Sequence, residues 1–479
     1  MVFSSLFFTY VFFPICMLLY FASPSIKWRN GVLLAFSLVF YSWGEPVFVL
    51  LMLATVALNY FFGLQIDKAR TDSAAKLYMA LSVVVSLGSL AFFKYSGFLV
   101  ETINSLLGSS IPVPQIALPI GISFYTFQIL TYVIDVYRGK VPVQKSFYKL
   151  LLYICCFHQL IAGPIVRYED VAREIEDRSA SQEDIAYGIK RFIIGFSKKV
   201  LLANMCGGAA TEILDGNLAT TTVSCAWYGI IMFSLQIYFD FSAYSDMAIG
   251  MGRMCGFHYK ENFNYPYISK SATEFWRRWH MSLGSFFRDY VYIPLGGNRR
   301  HHIFNLCVVW FLTGMWHGAS WNFIVWGLYF LVFLLLEKFV YGKYLEKLPA
   351  LAHIYLLLVV IVGWVFFYYT DMSQALHLLK IMFGFSGNPL NDPFAAAKIK
   401  NTIYVFQIAC LCCIPASSMV REFIEKTGSH DRIRQRGMSS ALVSTCGQVV
   451  QFIVLAVLFV TSSIMLVGES YNPFLYFRF

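Results

Sequence analysis

Long apolar runs joined by short, often basic, connections fill the chain. Runs near or above the roughly 18 to 20 residues that cross a bilayer as helix lie at about 5–22, 46–66, 77–93, 117–137, 222–250, 321–341, 353–370 and 446–467. Shorter or more polar runs at about 31–43, 98–108, 148–163, 185–205, 274–290, 302–318, 375–385 and 402–419 read as tilted, re-entrant or buried helices. The runs are solidly apolar, without the alternating polarity of a closed β-barrel. The pattern predicts an all-α, polytopic integral membrane protein. Residues 1–479 read as one membrane domain, because the longest polar stretch, about Arg167 to Lys190, is too short to bury a core of its own.

The polar positions set an orientation. No Lys or Arg precedes Lys27, so the first run lacks the basic flank of a cleavable signal and is expected to remain as a helix. Basic clusters at Lys27 and Arg29, at Lys68, Arg70 and Lys76, at Arg138 to Lys149, and at Arg421 to Arg436 mark cytoplasmic loops. Threading the spans between them puts the N-terminus, Glu45, Ser105–Gln115 and the Tyr471–Phe479 tail outside. The mixed charges from Arg167 to Arg178 suit a surface helix, and Lys190–Lys199 suits an amphipathic helix in the plane of the cytoplasmic face. No repeat of 20 to 50 residues is visible, which disfavours a transporter of duplicated halves.

Composition sharpens this picture. Of 479 residues 58% are apolar, with 46 Phe, 30 Tyr and 10 Trp, and only 13% are charged. The net charge of +10 sits mostly in the loops, which points to anionic lipid headgroups and away from nucleic acid. The 11 cysteines form no C-x-x-C pair with partner spacing and read as small buried hydrophobes, Cys206 included.

Against that background Glu274–Gly318 stands out, with His280 in Glu274-Phe-Trp-Arg-Arg-Trp-His-Met-Ser-Leu and His317 in Met315-Trp-His-Gly-Ala-Ser. A histidine beside a spanning element is energetically unfavourable and commonly functional; the bland alternative is a packing histidine bonded to a backbone carbonyl. Ser271–Arg288 fits a helix, opened by a possible Ser271/Glu274 capping box, with Trp276, His280 and Gly284 in one i, i+4 row. Gly284 beneath His280 leaves room for a substrate. Arg277, Arg278 and Arg288 can hold phosphates of a cytoplasmic carrier or snorkel to lipid headgroups. The turn Tyr290–Arg300, with Gly296, Gly297 and Asn298, can offer backbone N–H groups to an anion. Asp240 and Asp246 lie within a spanning run, where each needs a cation or a wet cavity, and their spacing puts them on different helix faces.

Acyl transfer suits these parts. A thioester is already activated, so the protein needs a base for the acceptor hydroxyl, a donor for the oxyanion and a tunnel that excludes water. Imidazole in an apolar wall is held neutral by desolvation and fits the base. No recognised metal-binding cluster is present; His301-His302 reads as a solvated turn, and His258, His353, His377 and His430 lack company.

Together these residues resemble the membrane-bound O-acyltransferase family, in its bacterial alginate O-acetyltransferase-like branch. The resemblance rests on Met1-Val-Phe-Ser-Ser, Gly163-Pro164-Ile, Asp240-Phe-Ser-Ala-Tyr-Ser-Asp246-Met-Ala, Asn262-Phe-Asn-Tyr-Pro266-Tyr, Phe275-Trp-Arg-Arg-Trp-His280-Met-Ser-Leu, Arg288 to Asn298, Trp316-His317-Gly318 and Tyr471–Phe479. It implies a bundle of helices and re-entrant segments around a central funnel, with His317 as the catalytic and His280 as the assisting histidine. Trp276, Arg277, Trp279, Asp240, Asp246, Asn298 and Trp316 are candidates for substrate contact. It further implies no bound cofactor, a cytoplasmic thioester such as acetyl-CoA as donor, and an exterior acceptor: an SGNH-hydrolase-like acetyltransferase or a polysaccharide hydroxyl. Alginate and peptidoglycan are both possible destinations. The alternatives are D-alanyl transfer to teichoic acid, a non-enzymatic polysaccharide or lipid flippase, and a scaffold that only anchors an acetyltransferase.

Overall fold

The computed structural model describes residues 1–161, 163–416, 440–468 and 474–475, the side chains of 440–446 excepted. The Arg421–Arg436 cluster, His430 and all of the Tyr471–Phe479 tail but Phe474 and Leu475 lie outside that range. Among the described residues the fold is helical throughout, with no strand. The site is built on α1 (Asp72–Leu107), α2 (Ile122–Tyr137), α3 (Gln182–Ser197), α4 (Val223–Met254), α5 (Ala272–Arg278), α6 (Met281–Phe287), α7 (His302–His317), α8 (Trp321–Leu336) and α9 (Pro349–Tyr368).

Five described helices are long and apolar enough to cross a membrane: Phe48–Lys68, Asp72–Leu107, Trp321–Leu345, Pro349–Tyr368 and Gly447–Gly468. They answer to five of the eight long runs. The other three are apolar for a different reason. Phe8–Phe21 is a shorter helix whose Phe8, Phe12, Phe13 and Tyr20 face the core. α2 begins only at Ile122, after Gly121 in a left-handed turn, and is buried nearly all round. α4 runs 32 residues through the middle of the molecule, with Gln236, Asp240, Ser242 and Asp246 all buried along it. A helix apolar on every face can be enclosed by protein as well as by lipid, and periodicity alone does not separate the two. The runs at 77–93 and 98–108 are one 36-residue helix, α1, because nothing between them breaks it.

The expected in-plane helix, α3, begins at a capping box in which Ser181 and Asp184 satisfy each other's backbone N–H groups. It does not lie freely on a surface. A Cβ at Gly188 would meet Gly250 O at 2.6 Å, and one at Gly250 would meet Gly188 O at 2.7 Å, so α3 and α4 cross with backbones touching. The π-helical stretch Lys198–Asn204 then turns two successive lysines inward. Lys198 pairs with Asp246 at 2.6 Å and Lys199, 1% exposed in its side chain, pairs with the fully buried Asp240 at 2.7 Å. Lys199 is therefore interior, which corrects its place in the expected in-plane helix at the cytoplasmic face: the carboxylate on α4 draws it in.

Candidate active site

The continuous helix expected over Ser271–Arg288 is in fact two. Ser271 caps α5 by accepting the Glu274 N–H at 3.0 Å, but the Glu274 carboxylate accepts from Lys270 N and from Arg278, so the capping box is only half formed. The buried Glu337, at the end of α8, accepts the Ala272 and Thr273 N–H groups at 2.5 and 3.0 Å, a negative charge at the helix N-terminus. At Trp279 the backbone becomes extended, and His280 takes φ 44° and ψ 53°, a left-handed conformation uncommon for a side chain of this kind. No Gly or Pro at the break announces it. Its cause is Asn262 on the preceding loop: its carbonyl accepts Met281 N–H at 2.9 Å and its Oδ1 accepts Ser282 N–H at 3.2 Å, starting α6 afresh. The strain at His280 is held by tertiary contacts, as is usual where such strain persists.

His317 is the last residue of α7. The α7–α8 hairpin around it is tight: a Cβ at Gly314 would meet Phe323 O at 2.4 Å, one at Gly318 the Phe323 ring at 2.2 Å, and one at Gly327 Trp310 O at 2.4 Å. Trp316, Trp326 and Phe367 approach the imidazole in edge geometry, with ring centroids 4.9, 4.9 and 5.1 Å away. Trp316 bridges the two histidines, standing 5.9 Å from the His280 ring. The His280 Nδ1 lies 3.5 Å from Ser282 Oγ, whose hydroxyl also meets Asn262 Oδ1 at 2.9 Å and accepts Ile165 N–H at 2.9 Å. From α1, Lys94 and Tyr95 reach the carbonyls that end α7.

Both histidines line one cavity of about 230 Å³, with Gly284, Trp276, Trp310 and Thr313 among its walls. Trp276, Gly284 and Arg288 also line a larger, open cavity of about 920 Å³, whose mouth carries Arg167, Lys260, Arg277 and Arg288. The i, i+4 row read from sequence thus reaches a common cavity through a broken helix. Most of the mouth's cations are paired. Arg167 and Arg288 share Asp289 at 2.8 and 2.7 Å, and Lys260 meets Asp170 at 2.5 Å. Partial burial acts to raise the Asp289 carboxyl, but Arg288 and Arg167 outweigh it and hold it below the ordinary carboxylate value. Among the described residues no ion pair is formed by Arg277.

The other singled-out residues sort by place. Trp279 lines the inner cavity, and Trp316 is buried beside both histidines. Asp240 and Asp246 line neither cavity; each serves ion pairs, Asp246 with both Lys198 and Arg191. Asn298 lies in a separate surface hollow with His301 and His302. Arg278 is engaged by Glu274. His258 does have company, its Nδ1 standing 2.7 Å from Glu174, a pairing no local pattern foretells because the partners are 84 residues apart. Among the described residues no group of three or more metal-ligating side chains converges.

The family described as MBOAT, membrane-bound O-acyltransferase family, matches residues 115–376, a span that includes α2 to α9 and both histidines. The chain is 38% identical, over the whole of both chains, to the probable alginate O-acetylase AlgI of Azotobacter vinelandii. It is 31% identical to the peptidoglycan O-acetyltransferase of Helicobacter pylori over 81% of this chain and 80% of that one. It is also 31% identical to the teichoic acid D-alanyltransferase of Bacillus subtilis, over 46% of this chain and 59% of that one. Helices fit to cross a membrane, a family match over more than half of the chain and full-length similarity to O-acetylases lead to one conclusion: the chain belongs to the membrane-bound O-acyltransferase family and is an O-acyltransferase.

Proposed function

We propose that this enzyme takes an acetyl group from a cytoplasmic thioester, such as acetyl-CoA, and passes it across the membrane for O-acetylation of an extracellular or cell-wall polysaccharide, with His317 as the catalytic histidine and His280 assisting. The observation that carries the reading is the meeting of both histidines on one small cavity that shares Trp276, Gly284 and Arg288 with a larger, cation-lined one. The inner cavity of about 230 Å³ has room for an acyl group beside the two imidazoles. The larger cavity suits a carrier with phosphates, which Arg277 would hold.

In this reading the ring nitrogen of His317 takes the proton of the acceptor hydroxyl as its oxygen bonds to the acyl carbon. The C–S bond then breaks, and the leaving thiolate recovers a proton. Ser282, donating to Asn262, accepts the Nδ1 proton of His280 and leaves Nε2 as the acceptor face. The indole N–H of Trp276, buried and without a partner among the described residues, is a donor for the developing oxyanion.

The test is mild-base release of acetate from extracellular polysaccharide and from cell wall. Cells carrying the normal protein, His317→Ala or no copy are compared, with membrane accumulation checked by immunoblot. Releasable acetate only with the normal protein is expected, and the fraction carrying it identifies the acceptor. Near-normal acetylation with His317→Ala removes that residue from the mechanism. No acetate in any strain, with D-alanine released instead, reassigns the acyl group; loss of glycan export itself favours a flippase, and tolerance of the substitution with acetylation intact favours a scaffold.

A further inference from the structure

α7 ends without a cap of its own. Gly318, which follows His317, is fully extended at φ −169° and ψ 158°, so no left-handed turn returns N–H groups to the last carbonyls. Those carbonyls are met by another helix. Tyr95 donates its hydroxyl to Met315 O at 2.6 Å, and the Lys94 ammonium donates to Trp316 O at 2.5 Å and to His317 O at 3.4 Å. Lys94 lies well inside the 36-residue α1, a helix long and apolar enough to cross a membrane and with few fully buried residues, and is itself half-buried. An ammonium at that place is unfavourable unless it finds acceptors, and its partners among the described residues are these carbonyls. A cation at a helix C-terminus also complements the helix dipole.

We propose that Lys94 is the positioning residue of His317: with Tyr95 it caps the final turn of α7 and so fixes the direction in which the imidazole enters the cavity. The inference rests on His317 being the catalytic group. The aromatic edges around the ring restrict its rotation and the tight α7–α8 packing holds one side of the turn, while the capped carbonyls fix the direction in which its last residues end.

Full-length protein in membranes tests this with Lys94→Met, Lys94→Arg and Tyr95→Phe, through kcat and donor KM for acetyl transfer. A second readout is the rate at which diethyl pyrocarbonate modifies His317, followed by mass spectrometry. A displaced catalytic group costs about a hundredfold, so Lys94→Met is expected to lose kcat by about that factor with KM unchanged. Lys94→Arg recovers most of the rate, and His317 is modified faster in the methionine variant. Unchanged kcat with Lys94→Met, or no rescue by arginine in equally abundant protein, overturns the proposal. Should Lys94→Met fail to accumulate, Tyr95→Phe decides: a several-fold loss of kcat supports the capping role, and an unaltered rate overturns it. If the normal protein moves no acetyl at all, the functional reading has failed; equal His317 modification across the variants then overturns the positioning role on its own.

Discussion

Arg277 lines the larger cavity among cations that are already engaged: Asp289 holds Arg167 and Arg288, and Asp170 holds Lys260. An arginine not consumed by a carboxylate is ready to take a phosphate in bidentate fashion. Arg277→Gln is therefore expected to raise the donor KM about tenfold, equivalent to about 1.4 kcal/mol, with kcat preserved; steady-state kinetics in membranes checks it. Trp276→Phe keeps an aromatic ring at the site and removes the indole N–H, so it should lower kcat by about a hundredfold if the indole steadies the oxyanion, with KM little altered. At this scale the two histidines were legible because a titratable side chain in an apolar segment demands an explanation. Lys94 obeys the same rule but falls between the runs at 77–93 and 98–108, and its partners are backbone carbonyls more than 200 residues away, which leave no pattern in side-chain types. Asn298 shows the converse: its glycine-flanked turn is locally suited to an anion, but the chain carries it to a different hollow.

At the scale of elements, two joints carry the site. The α5–α6 break is made by Asn262, which is 2% exposed and donates through Nδ2 to Gly163 O and Ser245 while its oxygens receive α6. Asn262→Leu removes those bonds and leaves buried donors unsatisfied, at about 1–3 kcal/mol each. The expected outcome is loss of activity at lowered thermal stability, read by size-exclusion fluorescence after heating. The α3–α4 crossing depends on paired glycines: Gly250→Leu forces a side chain onto Phe192 and the Gly188 carbonyl, and sharply lower accumulation is expected by the same assay. Helix existence could be read from apolar runs. The break at His280 could not, because a 3.6-residue pattern persists across it while the cause lies on another loop.

The whole molecule is tied together by charges buried in α4. Lys199 and Asp240 pair in the interior, and Asp240 also accepts the Leu475 N–H at 2.8 Å, drawing the C-terminal segment in beside Phe474, which stacks on Tyr244 at 3.7 Å. Breaking such a pair by Asp240→Asn leaves an uncompensated buried ammonium and is expected to destabilise by about 3–5 kcal/mol. The double change Lys199→Met with Asp240→Leu should recover much of that loss; thermal inactivation of both variants in detergent measures it.

The helical membrane class, most helix positions, the family and the choice of His280 and His317 as site candidates were all readable from the chain, because they follow from composition, apolar period and short ordered motifs. Only the tertiary structure decided which apolar helices are enclosed by protein, where the histidine-bearing segment breaks, which carboxylates serve lysines and which cations remain at the larger cavity. Those depend on contacts between residues far apart in the chain, where burial and hydrogen-bond satisfaction, set by neighbours, outweigh local preference.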